Sequence, residues 1–210
     1  MVNESAEPRR PRIRLDRIFT RQGDDGMTLG PGGERVWKND LRIECLGALD
    51  ELNVHVGLAR QTAEDLQAGQ PDLQRLSRWL ARIQHELFNV GSNLFSAGAH
   101  GPRLTPGWVT RLEREIEALN AELEPLDSFV LPGGSRVSLE LHLCRVACRR
   151  AERVVVALGR QQSLPSHLLP YLNRLSDAFF VWSRWANRRL GMPEELWDPS
   201  AHSDEDSQPA

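Results

Sequence analysis

The sequence has almost no lysine. Of its 26 basic side chains only Lys38 carries an ammonium, and every other is an arginine. The skew has an indifferent reading, a base-composition bias that writes Arg at any solvated basic position. It also has a pointed one, a single site that needs a compact, strongly hydrated cation. Cysteine is scarce too: Cys45, Cys144 and Cys148 are too few and too odd in number for a disulfide framework and point to a reducing compartment. No apolar run approaches the roughly 20 residues that span a bilayer. The N-terminus has basic residues but no apolar segment, so no secretory signal is expected. Glu4, Glu7 and Asp16 disfavour a transit peptide, which leaves the cytoplasm as the expected location. Charge of one sign is also lacking. The net charge is −3, and Asp198, Asp204, Glu205 and Asp206 lie in a tail without Lys or Arg, so the body before it is near +1. That balance argues against bulk nucleic-acid binding. The histidines show neither HExxH nor HxxxH spacing, so no dedicated zinc site is expected. No GxSxG nucleophile motif occurs.

What is present is helical periodicity. A hydrophobic share of 40% with 26% charge suits a soluble globular chain. Five segments repeat apolar residues at three and four: about 41–63, 73–97, 106–126, 135–158 and 166–190. Thr105 and Pro106 read as N-cap and first helical residue, and Gly159 and Gly191 as C-terminal caps. Pro170 places the start of the fifth helix near Leu169. The pattern predicts an all-α, five-helix up-and-down bundle. Residues 1–17 read as a flexible arm, 18–192 as the bundle domain and 193–210 as an acidic, disordered tail.

Residues 18–40 break the pattern. Gly23, Gly26, Gly30, Gly32 and Gly33 allow tight turns and close approach to a ligand, and successive backbone N–H groups there can form an anion nest. Thr20, Arg21, Thr28, Arg35 and Lys38 add donors. Neither a GxxxxGK[ST] nor a GxGxxG pattern is present, so a surface loop and a phosphate cradle both fit. The fourth helix is more pointed. Arg145, Arg149 and Glu152 share one face, with Arg153 a little round from it and Arg150 pointing further away, on a helix whose apolar neighbours suggest burial. Buried Arg needs a partner: Asp50 or Asp177 in a structural ion pair, or a bound polyanion. Asn173, Ser176 and Asp177 read as a polar inlay in the fifth helix, consistent with a satisfied buried network. Phe129, before PGG, reads as a staple or ordinary packing.

Five motifs, TRQGDDGMTLGPGGERVWKND, GALDELN, FVLPGGS, RVACRRAER and YLNRLSD, occur in this order. Together they resemble the PduO-type ATP:cob(I)alamin adenosyltransferases over about residues 18–192. The resemblance implies a homotrimer with active sites between subunits. It implies transfer of the 5′-deoxyadenosyl group of ATP to the cobalt of cob(I)alamin, with Mg²⁺ and release of triphosphate. It implies that Thr20, Arg21, Gln22, Gly23, Thr28 and Leu29 form an ATP loop and that Lys38 binds ATP. Arg149, Arg150, Ala151, Glu152 and Arg153 would form the phosphate-binding stretch, and Asn173 would contact the nucleotide. Arg145 and Asp50 resemble an ion pair at the subunit interface, and Phe129 an aromatic beneath the corrin that displaces its lower axial ligand. Gln22, Met27, Pro31 and Trp37 depart from the family's loop pattern. A reductase and a cobalamin-dependent enzyme are the partners implied. A non-catalytic ATP or corrinoid carrier and a purely structural oligomer are the competing readings; the glycine loop with Lys38 speaks against the last.

Overall fold

The computed structural model describes residues 18–95 and 103–201. The expected flexible arm over 1–17 and the tail acids Asp204, Glu205 and Asp206 lie outside the described residues. The chain divides into two compact units, one ending at Lys38 and one starting at Asn39.

The first unit contains a two-stranded antiparallel hairpin, β1 (Met27–Leu29) and β2 (Arg35–Trp37). Met27 faces Trp37, Thr28 faces Val36 and Leu29 faces Arg35. The Gly30 N–H donates to the Glu34 carbonyl at 2.7 Å and closes the ladder, and the Gly33 N–H donates to the Gly30 carbonyl at 3.0 Å. Gly33 sits at φ +81°, where a side chain is strained. The segment without helical period is therefore a glycine-punctuated hairpin. Three-residue strands are too short to show a period of two.

The second unit contains α1 (Leu41–Leu66), α2 (Leu73–Phe95), α3 (Pro106–Asn120), α4 (Arg136–Gly159) and α5 (Leu168–Arg189), the five-helix bundle read from the sequence. Side-chain caps set two of the starts. Asp40 Oδ1 accepts from the Arg42 N–H at 2.9 Å, and Ser135 Oγ accepts from the Ser138 N–H at 3.3 Å, each satisfying a first-turn donor. Thr105 occupies the N-cap of α3 in extended conformation, but its side chain makes no capping bond; Pro106 alone supplies the start signal. The helix also stops at Asn120, short of residue 126, and Pro125 disfavours helical backbone at Glu124 beyond it.

Gly159 does not cap α4 in a left-handed turn. It is the last helical residue, and the cap is Arg160 in αR conformation. A Cβ on Gly159 would lie 2.7 Å from Leu164 Cδ1, so the missing side chain makes room for the α4–α5 connection. Gly191 does take positive φ, +65°. Pro170 fits the first turn of α5, where its absent N–H has no intrahelical acceptor to lose.

One apolar cluster joins the helices. α4 lies between α1 and α5, α2 packs on α1 and α3 on α5. Leu49, Leu52, Val56 and Ala59 of α1 and Tyr171, Phe179, Trp182 and Trp185 of α5 are buried, each large side chain contributing about 1.5–3 kcal/mol. Trp182 stacks at 5.4 Å from Trp79 and meets Phe179 edge-on at 5.8 Å. One ionic network crosses this interior. The buried Tyr171 hydroxyl donates to Glu86 Oε2 at 2.8 Å, and Arg82 bridges Glu86 at 3.2 Å and Glu115 at 2.7 Å. Burial pushes the Glu115 carboxyl up despite Arg82. Among the described residues no helix is long and apolar enough to cross a membrane.

Candidate active site

In the first unit, Thr20, Gln22, Gly23, Thr28 and Leu29 line a cavity of about 540 Å³, together with Met27 and Arg35. Five of the loop residues singled out in the sequence thus meet at one hollow. Arg21 is not among the lining residues; it is the only described non-glycine residue at positive φ, +59°, a strained turn position. Lys38 donates from Nζ to the Gly23 carbonyl at 2.7 Å, and a Cβ on Gly23 would stand 3.1 Å from that nitrogen. The ammonium is seated where Gly23 leaves room for it. Arg35 is held by Asp25 at 2.6 and 2.7 Å and donates to the Gln22 carbonyl at 3.1 Å. The Met27 N–H bonded to Asp25, and then Arg35, hold the Asp25 carboxyl below its usual value.

In the second unit, α4 buries Leu141, Cys144, Cys148, Ala151 and Val155, a stripe at spacings of three and four. The remaining face carries the arginines. α4 is well buried, as its apolar residues suggest, but Arg149, Arg150 and Arg153 are exposed: the guanidiniums occupy the side opposite that stripe. Arg150 pairs with Glu51 of α1. Arg149 and Arg153 have no carboxylate partner among the described residues, and Arg153 donates only to the Arg149 carbonyl, at 3.2 Å. Like charges left close together repel, so this face gains from an arriving anion.

Asn173 is exposed rather than part of a buried inlay. Its Nδ2 donates to Glu152 Oε1 at 3.3 Å, which joins two of the expected site residues across α4 and α5. Asp177 pairs with Arg174 of its own helix at 2.9 Å, not with α4.

Arg145 is half-buried, and its Nε is buried without an acceptor. Burial, then the neighbouring Arg149, depress its pKa. Asp50 lines a separate groove of about 300 Å³ between α1 and α2, beside Phe88 and Leu46. The two form no ion pair within the described chain. Phe129 is 77% exposed, which removes the staple and core readings. Its only aromatic neighbour among the described residues is Trp197, centroid to centroid 6.1 Å.

The segment carrying Phe129 is held by Asn187 and by residues 195–197, which periodicity does not reveal. Asn187 Oδ1 accepts from both the N–H and the hydroxyl of Ser135 at 2.8 Å. Its Nδ2 donates to the Gly133 carbonyl at 3.1 Å. Gly134 sits between at φ +85°. Residues 195–197, assigned to the tail by composition, run antiparallel to 129–131, with a bridge between Val130 and Leu196.

Fold and charge together define a five-helix bundle whose α4 face carries Arg149 and Arg153 without carboxylate partners among the described residues, and a glycine-rich hairpin unit that seats one lysine. The family model for cobalamin adenosyltransferase matches residues 18–186. A cobalamin adenosyltransferase of Cupriavidus metallidurans is 42% identical over 191 residues, 90% of this chain and 98% of that protein. A corrinoid adenosyltransferase of Bacillus subtilis is 41% identical over 186 residues, 88% of this chain and 94% of its own length. Among solved structures, a single-residue variant of the PduO-type ATP:corrinoid adenosyltransferase from Lactobacillus reuteri, complexed with cobalamin and ATP, superposes with a TM-score of 0.78. It is 32% identical and covers 87% of this chain and 97% of its own. The chain belongs to the cobalamin adenosyltransferase family.

Proposed function

We propose that the protein transfers the 5′-deoxyadenosyl group of ATP to the cobalt of cob(I)alamin, giving adenosylcobalamin and triphosphate. The observation that carries the reading is the α4 face, where Arg149 and Arg153 are exposed without carboxylate partners among the described residues. The cobalt electron pair forms the Co–C5′ bond as the C5′–O bond breaks, and triphosphate leaves with that bonding pair. Because the corrinoid is itself the nucleophile, no activated Ser or Cys is required. Cys144 and Cys148 are buried thiols whose pKa burial pushes up, unsuited to attack. What the protein must supply is positive charge where the leaving group develops negative charge.

We assign that role to Arg149 and Arg153, with Arg150, Ala151 and Glu152 in the same stretch and Asn173 orienting Glu152 and the nucleotide. Thr20, Arg21, Gln22, Gly23, Thr28, Leu29 and Lys38 are assigned to ATP binding. Among the described residues no group of three or more His, Cys, Asp or Glu could hold a metal ion. A Mg²⁺ would therefore be carried on the phosphate oxygens of ATP and water and would add charge neutralisation there. Phe129, exposed and without a donor atom, suits the lower corrin face, where displacing the axial ligand eases reduction of Co(II) to Co(I).

The protein is proposed to act as a cytoplasmic homotrimer, with a reductase supplying the electron and a cobalamin-dependent enzyme receiving the product. Exposed Val54 and Leu58 on α1 and Leu139, Leu143 and Val146 on α4 form apolar stripes of the kind subunits cover. The buried Nε of Arg145 lacks the acceptor that Asp50 of a neighbouring copy would provide. Purified protein given Mg-ATP and chemically reduced cob(I)alamin is expected to form the adenosylated product, followed by absorbance. ATP binding without conversion would make it a carrier instead.

A further inference from the structure

An exposed phenyl ring is free to sample its rotamers unless something holds it. Phe129 is 77% exposed and Trp197 is 48% exposed, yet their rings meet at 6.1 Å and 52°. Leaving two large aromatic surfaces side by side in water is unfavourable, and stability alone would turn them inward. The backbone fixes their register. The Trp197 N–H donates to the Phe129 carbonyl at 2.7 Å, and the Leu131 N–H donates to the Glu195 carbonyl at 2.8 Å. The Ser128 hydroxyl donates to the Trp197 carbonyl at 2.7 Å. Both partners are rooted in one buried guanidinium of α5. Arg184, 5% exposed, donates from Nε and Nη2 to the Glu194 carboxylate at 2.9 Å each, and from Nη2 to the Glu124 carbonyl at 2.9 Å. The Phe129 segment and the Trp197 strap therefore start from the same anchor and meet again at the ring pair.

We propose that Trp197 is a positioning residue for Phe129: the strap Glu194–Trp197 holds the indole against the phenyl ring and fixes the angle at which that ring meets the corrin. The proposal rests on the assignment of Phe129 to the lower corrin face. Trp197 acts through Phe129 and has no chemical role of its own.

The test uses the full-length protein with Mg-ATP and cob(II)alamin. The bound Co(II) absorbance spectrum reports the share of corrinoid whose lower ligand is displaced, and kcat and KM for ATP are measured beside it with a chemical reductant added to convert Co(II) to Co(I). Trp197→Ala is expected to lower the displaced share and kcat by roughly two- to tenfold, the scale of one aromatic pair, with KM for ATP unchanged. Trp197→Phe is expected to restore most of both. A wild-type Co(II) spectrum for Trp197→Ala, when Phe129→Ala alters it, overturns the proposal. A wild-type spectrum for Phe129→Ala overturns the corrin assignment of Phe129 and the proposal with it. Should Trp197→Ala fail to fold, Trp197→Leu keeps apolar bulk without the ring and is expected to show the same loss; an unaltered spectrum there is equally fatal.

Discussion

Asn173 of α5 donates through Nδ2 to Glu152 Oε1 of α4 at 3.3 Å, one turn from Arg149 and next to Arg153. Asn173 is exposed and Glu152 half-buried, so the bond orients the carboxylate more than it stabilises the bundle. Asn173→Ala is expected to raise KM for ATP several-fold while changing stability by about 0.5 kcal/mol or less. Steady-state kinetics beside a denaturant melt separates the two effects, and a large stability loss would make the bond structural.

Arg149 has no carboxylate partner to strand among the described residues. Arg149→Ala is therefore expected to leave stability intact and to lower kcat by about a hundredfold or more, the scale of removing one preorganised charge donor at a leaving group. Full rate at saturating ATP would remove Arg149 from the chemistry.

Lys38 reaches the Gly23 carbonyl at 2.7 Å through the space that Gly23 leaves open. A guanidinium is wider and planar and cannot take that seat with the same reach. Lys38→Arg is expected to weaken ATP binding by roughly tenfold, read by calorimetric titration. Wild-type affinity would return the single lysine to compositional accident.

Gly134→Ala tests the clamp beneath the Phe129 segment. Its φ of +85° costs an L-residue about 1–2 kcal/mol, and the new Cβ would fall 2.5 Å from the Asn187 amide, which holds Gly133 and Ser135. A destabilisation of about 2 kcal/mol or more is expected in denaturant unfolding. A stability equal to wild type would mean the clamp yields without cost.

His142 gives the pH dependence a sign. Burial, then Arg145, lower its pKa from the ordinary 6.5, with Glu194 opposing; its Nε2 lies 3.3 Å from the Ser183 hydroxyl. The folded state therefore binds this proton less readily than the unfolded chain. The stability from His142 is complete above the unfolded pKa and is lost as pH falls through the lower folded value. His142→Gln, which cannot titrate, is expected to flatten the acid-side slope in urea unfolding. An unchanged slope would place the titration elsewhere.

The helices were legible because α1, α2, α4 and α5 each carry a long apolar stripe at one period, and Pro106 announces the start of α3. The α4 arginines were legible as a cluster but not in their exposure. Sequence neighbours on a helix point in different directions, and only packing against α1 and α5 decides which side is buried. The hairpin at Met27–Trp37 was hidden because three-residue strands show no alternation.

By itself the sequence determined the bundle, the glycine loop with its one lysine, and, through five motifs in order, the family. Those are properties of local period, backbone permissiveness and residue identity. The tertiary structure alone decided which guanidiniums stay without partners, that Lys38 sits against Gly23, and that Trp197 returns to Phe129 across a long stretch of chain. Hydrogen bonds between distant segments leave no periodic trace in either segment, so they appear only once the chain has folded.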